Sequence, residues 1–476
     1  MKSNLLVVSN RGPFTIEGEM GNLKYRPAVS GLVSAVLPAV KKVGGIWLAW
    51  AGRLTEKTLE VQTVIKDDFN FVEVLLSREE LKGYYEGYSN GVLWPLCHLM
   101  PEKVVLSEEN YRIYKKVNQK FAQRAGTLLK PGTLLWIHDY HLALMPYFVR
   151  QKYSWQRIAF FWHIPFPPVE IFTIQPWAQE ILRGLLGADL IGFHTEDYRE
   201  NFLRSVERVL KIPVNYEWGT VYYNGREIRV KAVPIGIEPK NFQKDVPKIE
   251  EIEQDLRGQI IFLGVERLDY TKGLKEKILG FARFLEKNPE YLGKVILLQV
   301  AVPTRENIAA YRNYAKEVLE EVQKVNERFG HSSWQPIKIL TRNYSQDELI
   351  YLYRRADTLI ITSLEDGLNL VAKEFIASRQ EPGVVILSNR TGVARQFGVA
   401  LKVNPYSPEE IAGQIKTSLE MSLEEKEKMF AKLKEQVLLK NNEWWLDNFL
   451  GKELMLSVAP GKYYRKRGEK KIGAVD

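Results

Sequence analysis

The sequence predicts an α/β protein made of two doubly wound halves. Three observations carry that expectation. Short apolar runs of strand length alternate with helix-period segments along the whole chain, the pattern of a parallel sheet covered by helices on both faces. At 476 residues the chain is long for one core. Polar, charged or glycine-containing loops recur directly after the apolar runs, at the carboxyl ends of strands, where open α/β sheets bind ligands.

The stretch from Leu263 to Gly273 organises the rest. Ile260 to Leu263 reads as a buried strand, and Leu274 to Leu285 as a helix with apolar residues three and four apart. Arg267 and Lys272 are thereby placed on the loop between them. Two cations flanked by Gly264 and Gly273 suit a diphosphate: charge to neutralise it, small residues to let it approach. A basic surface loop would carry the same residue types, so this stretch needs company before it means a site.

Taken in order, the first strand, Leu5 to Val8, ends at Ser9-Asn10-Arg11-Gly12-Pro13 and leaves Arg11 past a strand end. Ser30-Gly31-Leu32 opens a helical run to Leu37, and its small-residue entry offers backbone N–H groups to an anion. Ile46 to Trp50 is a second strand. Tyr84, Tyr85 and Trp94 read as core or as platforms for a sugar or phosphate. Leu134 to Ile137 runs into His138-Asp139-Tyr140-His141, and Ile158 to Trp162 runs into His163-Ile164-Pro165. A helix over Ile181 to Gly187, a strand from Asp189 and a strand over Val230 to Ile237 follow, with Pro234 to Pro239 as the exit into a linker. The second half repeats the pattern, with strands Ile260–Val265, Val295–Val300, Ile337–Leu340, Thr358–Thr362 and Val384–Leu387. The last helix, near Glu443 to Leu450, carries Trp444, Trp445 and Phe449 and is expected to pack back on the first half.

A second informative stretch is Ser363 to Glu374, which follows a strand and opens a helix. Gly367 and the first helical N–H groups face a phosphate in this reading. Asp366 accepts from sugar hydroxyls, and Glu374 reaches a ribose diol, as acidic residues do in other nucleotide folds. Its place on the same sheet edge as Arg267 and Lys272 favours a site over an ordinary capped helix.

Composition bounds the function classes. The chain is 45% hydrophobic and 26% charged, ordinary for a soluble protein, with a net charge of +9. Only Lys462 to Lys471 is a dense basic run, and no nucleic-acid motif accompanies it, so phosphorylated small molecules are the expected partners. Cys97 is the single cysteine, which fits a reducing cytoplasm. The first apolar run is too short for a signal peptide or a membrane span. His138 and His141 lack a third ligand at recognisable spacing, so no zinc site is expected. No nucleophile elbow or Walker sequence is present. Asp139 and His163, at neighbouring strand ends, are candidates to contact hydroxyls or move protons.

Together, Val8–Arg11, Trp136–Leu142, His163–Pro167, Pro234–Ile237, Val265–Gly273 and Asp366–Glu374 resemble the trehalose-6-phosphate synthase family, from Leu5 to about Leu450. The resemblance implies two Rossmann-like domains facing a central cleft, the GT-B architecture, and retaining glucosyl transfer from a nucleotide-glucose to glucose-6-phosphate. It divides the chain into an acceptor domain over 1–236, a donor domain over 237–439, a helix over 440–457 packing back on the first, and a basic tail over 458–476. It implies no cofactor and no metal, with Arg267 and Lys272 neutralising the leaving diphosphate, Asp139 orienting the acceptor and His163 binding the donor glucose. Donor contacts fall on Gly31, Asp366, Gly367, Leu368, Asn369, Leu370, Glu374 and Tyr344. Acceptor contacts fall on Arg11, Trp50, Tyr85, Trp94 and Arg305.

Two positions depart from the family pattern: Ser30 stands where a glycine is usual, and Glu365 where an arginine is usual. The second reverses a charge beside the donor site and leaves UDP-, GDP- and ADP-glucose all open as donors. Pseudo-glycosyltransferases, glucosylglycerol-phosphate synthases and a non-catalytic sugar-phosphate sensor remain as alternatives. A pyridoxal-dependent phosphorylase lacks its lysine setting here. Oligomeric state is left open.

Overall fold

The computed structural model describes residues 5–17, 24–27, 31–55, 63–66, 69–256 and 258–451. Ser30, the end of the 440–457 segment and the basic tail lie outside them.

Two sheets make up the fold. In the first, seven parallel strands run in the spatial order Arg226–Ala232, Leu190–Phe193, Arg157–Phe161, Leu134–His138, Leu5–Arg11, Ile46–Trp50 and Phe69–Glu73. Antiparallel strands Thr220–Tyr223 with Val214–Asn215, and Thr63–Lys66, extend its two edges. The second sheet has six parallel strands in the order Ile337–Leu340, Val295–Val302, Ile260–Arg267, Thr358–Ile361, Val384–Ser388 and Leu401–Val403. Counting only parallel strands along the chain, both sheets follow the Rossmann order, and in both the order reverses between the first strand and the fourth. The central strands are buried along their length, as strands covered on both faces must be, so they read as continuous apolar runs rather than alternating ones.

The strands run further than their apolar cores suggest. Ile260–Arg267 includes Arg267, paired with Val302 in the neighbouring strand, so Arg267 closes a strand rather than sitting on the loop. The strand expected over Val230 to Ile237 instead ends at Ala232, because the chain there leaves the first sheet for the second. The first helix runs over Gly31–Val43, past Leu37. The two antiparallel edge pieces and a separate hairpin of Phe14–Glu17 with Lys24–Pro27 carry no strong apolar run.

The aromatic segment Leu81–Leu93 is a wide-turn π-helix, rare at this length and typical of functional sites. It buries Tyr84 and Tyr88 against Tyr114, with ring centroids 5.8 Å and 4.5 Å apart. The final helix, Asn442–Leu450, packs on the first sheet through Trp445 and Phe449, whose rings lie 5.3 Å from Trp136 and 4.9 Å from Phe161.

Candidate active site

Each switch point carries an arginine and an aspartate. In the first sheet Arg11 is the last residue of the first strand, and Asp139 follows the fourth, Leu134–His138. In the second sheet Arg267 ends the first strand, and Asp366 lies on the loop after the fourth, Thr358–Ile361. A third cation joins them from the loop after Val295–Val302: Arg305. Asp139, Arg305 and Asn369 have φ of 75°, 50° and 79°, three of six left-handed non-glycine residues among those described. Such strain persists where surrounding contacts over-determine it, and it clusters at sites.

One pocket is built from both halves. The Arg11 guanidinium lies 3.8 Å above the Trp50 ring, and that of Arg305 lies 4.1 Å above Trp94. Each fork is therefore held flat on an indole, which fixes its donors before a ligand arrives. Arg305 also donates to Tyr311 at 2.5 Å and reaches Asp269 at 3.3 Å. Tyr85 stands among these cations. Burial pushes its phenol up, but Arg305, Arg11 and Arg267 outweigh that and hold it below the ordinary tyrosine value. Three guanidiniums acting on one phenol gather positive charge at a single point of the pocket.

A second cluster lies across the cleft floor. Lys272 Nζ is 2.8 Å from Asp366 Oδ2. Burial raises Asp366, but Lys272 outweighs it and keeps the carboxylate ionised, so the ammonium is fixed in direction. Asn369 donates to the same oxygen at 3.2 Å, and its own Oδ1 accepts from the Ala372 N–H at 3.2 Å, shaping the turn into the helix Val371–Ser378. Glu374 binds the Tyr353 hydroxyl through one oxygen at 2.9 Å. Tyr344, beyond the edge strand Ile337–Leu340, is covered by the Arg342 guanidinium at 3.7 Å.

The two halves touch where these loops meet. A Cβ on Gly367 would overlap the His163 carbonyl, and one on Gly31 would stand 2.5 Å from Leu370 Cδ1. Glycine at both positions permits that approach. Leu368 is buried beneath the same loop. His163 donates its backbone N–H to Asp139 Oδ1 at 3.1 Å. Its Nε2 lies 3.0 Å from His138 Nδ1, and burial lowers its pKa to about 3, so the ring is neutral and is a hydrogen-bonding group rather than a proton carrier. Burial raises Asp139 to about 6, against the opposing effect of the Tyr140 and His163 N–H groups and Arg305.

Three expectations change. Gly264 does not serve a ligand: a Cβ there would overlap Gln299 and Lys277, which form a buried cluster with Glu266. Lys277 Nζ lies 2.8 Å from Glu266 Oε1 and 3.0 Å from Gln299 Oε1. The Glu365 charge is not free for a ligand: its carboxylate accepts from Arg390 of its own half at 2.8 Å and from the Tyr198 hydroxyl of the other at 3.2 Å. His141 joins the pocket, stacked on Tyr85 at 5.7 Å with an interplanar angle of 10°; neither ring nitrogen makes a hydrogen bond, and Nδ1 stands 3.9 Å from Asp139 Oδ2. Its signal in the sequence was its place two residues after Asp139, which the metal question obscured.

Among the described residues no cluster of three His, Cys, Asp or Glu is placed to hold a metal ion, and no helix is long and apolar enough to cross a membrane. Two Rossmann-ordered sheets whose cationic switch points meet give the two-domain organisation of the GT-B architecture, the fold of a large class of glycosyltransferases. The chain belongs to glycosyltransferase family 20, whose profile matches residues 3–454. It is 38% identical to an α,α-trehalose-phosphate synthase [UDP-forming] of Schizosaccharomyces pombe, over 94% of this chain and 90% of that one. It is also 38% identical to a synthase so named from Dictyostelium discoideum, over 92% of this chain; there it spans only 60% of the relative's length. The solved α,α-trehalose-phosphate synthase (UDP-forming) of Burkholderia xenovorans in complex with glucose-6-phosphate superposes with a TM-score of 0.87 at 31% identity, covering 95% of this chain and all of that one.

Proposed function

We propose that this chain transfers glucose from UDP-glucose to glucose-6-phosphate with retention, giving α,α-trehalose 6-phosphate and UDP. The observation that carries the reading is the convergence of Arg11, Arg267 and Arg305 on Tyr85, next to the Lys272–Asp366 pair. Arg11 and Arg305 suit the acceptor's phosphate, while Arg267, at the boundary between the two clusters, joins Lys272 in suiting the donor's diphosphate. The printed names of the relatives supply the two substrates.

In this reading residues 1–236 hold the acceptor and 237–439 the donor. Arg11, Tyr85 and Arg305 bind the acceptor phosphate, with Trp50 and Trp94 as walls. Asp139 accepts from an acceptor hydroxyl. The helix entry at Gly31 and the segment Gly367, Leu368, Asn369 and Leu370 present backbone groups to the donor, Glu374 takes the ribose and Tyr344 sits beside the base. His163 contacts the donor glucose. The acceptor's anomeric hydroxyl oxygen attacks the donor's C1 from the face the phosphate leaves. The C1–O bond to the diphosphate breaks, and the hydroxyl proton passes to the departing phosphate oxygen. Arg267 and Lys272 stabilise the charge that grows there, the interaction worth most because it strengthens in the transition state. The chain's own cations serve here, with no cofactor, in the cytoplasm.

The test is incubation of pure protein with glucose-6-phosphate and UDP-, GDP- or ADP-glucose in turn. A disaccharide phosphate formed best from UDP-glucose is the expected result. A different best donor would reassign the base, and no product from any donor would remove the reading.

A further inference from the structure

The chain crosses between its sheets twice, and the crossings meet. The outgoing one is Pro234–Ile237 and the returning one is residues 440–442. A Cβ on Gly236 would overlap the Asn441 backbone, and the Asn442 N–H donates to the Ile237 carbonyl at 2.9 Å. The Ile235 peptide in the outgoing crossing is gripped from both halves. Its N–H donates to His194 Nδ1 at 3.3 Å, just beyond the strand Leu190–Phe193 of the first sheet. Its carbonyl accepts from Lys373 Nζ at 2.7 Å, on the helix Val371–Ser378 of the second.

Lys373 is costly at that place. It is fully buried, and among the described residues no carboxylate pairs with it; burial, with Lys440 nearby, lowers its ammonium to about 7. An apolar residue of similar length would fill the space without that cost. Its neighbours indicate what the ammonium does. Lys373 immediately precedes Glu374, on the helix that opens from the Asp366–Leu370 loop. On the other side, the His194 ring lies 5.3 Å from that of His163, whose carbonyl packs on Gly367 and whose N–H holds Asp139. One hydrogen-bonded run thus joins the helix behind the donor loop, the crossover peptide and the acceptor sheet.

We infer that Lys373 is a positioning residue that locks the donor helix to the crossover peptide, so that occupancy of the donor pocket seats the two halves against each other at His163 and Gly367. The inference rests on the proposed reading of Asp366 and Glu374 as donor contacts. Lys373 touches neither substrate. Its bond to Ile235 makes the helix and the crossover move as one body, which is how a hinge passes on the binding of a ligand.

Two variants test it. Lys373→Met keeps the stem and loses the donor, and Lys373→Gln keeps a donor without the charge. Small-angle scattering with and without UDP plus glucose-6-phosphate reads closure, calorimetry reads UDP binding, and steady-state kinetics read turnover. The wild type is expected to contract on adding the ligands. Lys373→Met is expected to bind UDP within about threefold of the wild type yet contract less, with kcat down about tenfold, the scale of a typical coupling energy, and Lys373→Gln to regain most of both. Contraction and kcat unchanged in Lys373→Met, at whatever melting temperature, would overturn the inference. If that variant does not fold, His194→Gln, which alters the other grip on Ile235, takes its place with the same two outcomes. A wild type that contracts on UDP but turns over no nucleotide-glucose would remove the functional reading and leave this coupling standing. A wild type that turns over while its variants match it would do the reverse.

Discussion

Arg11 and Arg267 hold equivalent positions in two different sheets. Each ends the first parallel strand, one strand away from the loop that carries an aspartate, and both act on the same phenol, Tyr85. Two copies of one topology, turned face to face, thus bring two cationic switch points within reach of a single ligand pair. A single Rossmann sheet supplies one such crevice; a bisubstrate phosphate reaction needs two.

In the proposed reading Arg267 and Arg305 have different tasks, the leaving diphosphate and the acceptor phosphate. Arg267 is exposed at its strand end, while Arg305 is buried on Trp94. Arg267→Ala is expected to lower kcat by about a hundredfold or more, the usual scale for removing a charge stabiliser of the transition state, with little change in the KM for glucose-6-phosphate. Arg305→Ala is expected chiefly to raise that KM. Equal losses of kcat and acceptor binding in both variants would merge the two pockets into one.

Lys272 and Asp366 act as a pair. Lys272→Met leaves Asp366 buried without its cation, so burial then dominates and the carboxyl rises toward neutrality. The single variants Lys272→Met and Asp366→Asn are each expected to lose most of kcat, and the double variant to lose little more. A double-mutant cycle checks this, and additive losses would show that the residues work separately.

Asp139 sets an acid limb. With its carboxyl raised to about 6 by burial, kcat/KM for the acceptor is expected to fall as pH drops below about 6, and Asp139→Asn to remove that limb together with most of the activity, read from pH–rate profiles of both proteins. Stability moves oppositely. A carboxyl raised above its unfolded value of 3.8 destabilises the fold when ionised, above pH 6, and the cost is relieved as pH falls toward 4. Asp139→Asn is therefore expected to raise Tm at pH 7.5 and to change it little at pH 4.5, by calorimetry. A Tm gain that is the same at both pH values would detach the effect from this carboxyl.

The second sheet's strands and the loops after them were legible in sequence because parallel strands buried on both faces make unbroken apolar runs. The readings Thr358–Thr362 and Val384–Leu387 fall within one residue of the observed strands Thr358–Ile361 and Val384–Ser388, both buried throughout. Edge strands such as Thr220–Tyr223 alternate or are mostly polar, so the same signal passes over them. Arg267 and Asp366 stood out because a charge directly after an apolar run has few structural reasons to be there. Lys277, Glu266 and Gln299 hid for the opposite reason: a buried ion cluster leaves no periodic trace, and Gly264 looked like a ligand glycine when it serves that cluster. Facing directions were also illegible. Nothing in the order Glu365-Asp366 tells that the first carboxylate turns to Arg390 and the second to Lys272.

That divergence makes a prediction about the donor. Were Glu365 beside the base or the diphosphate, removing its charge would alter the preference among UDP-, GDP- and ADP-glucose. It lies instead between Arg390 of its own half and Tyr198 of the other, and Tyr198 also donates to the Asp366 carbonyl at 3.2 Å. Burial raises Glu365 to about 7 even with Arg390 beside it, so near neutrality it exchanges between carboxylate and acid. Glu365→Gln is expected to leave the ratio of kcat/KM values among the three donors unchanged. Its effect should fall on kcat for every donor alike, by a few-fold, through a looser hold on the Asp366 backbone, the scale of one ordinary neutral hydrogen bond of about 1 kcal/mol. The measurement is the donor series on both proteins at pH 8, where the native residue is mostly ionised. A shift in donor ranking would place the carboxylate in the donor pocket after all.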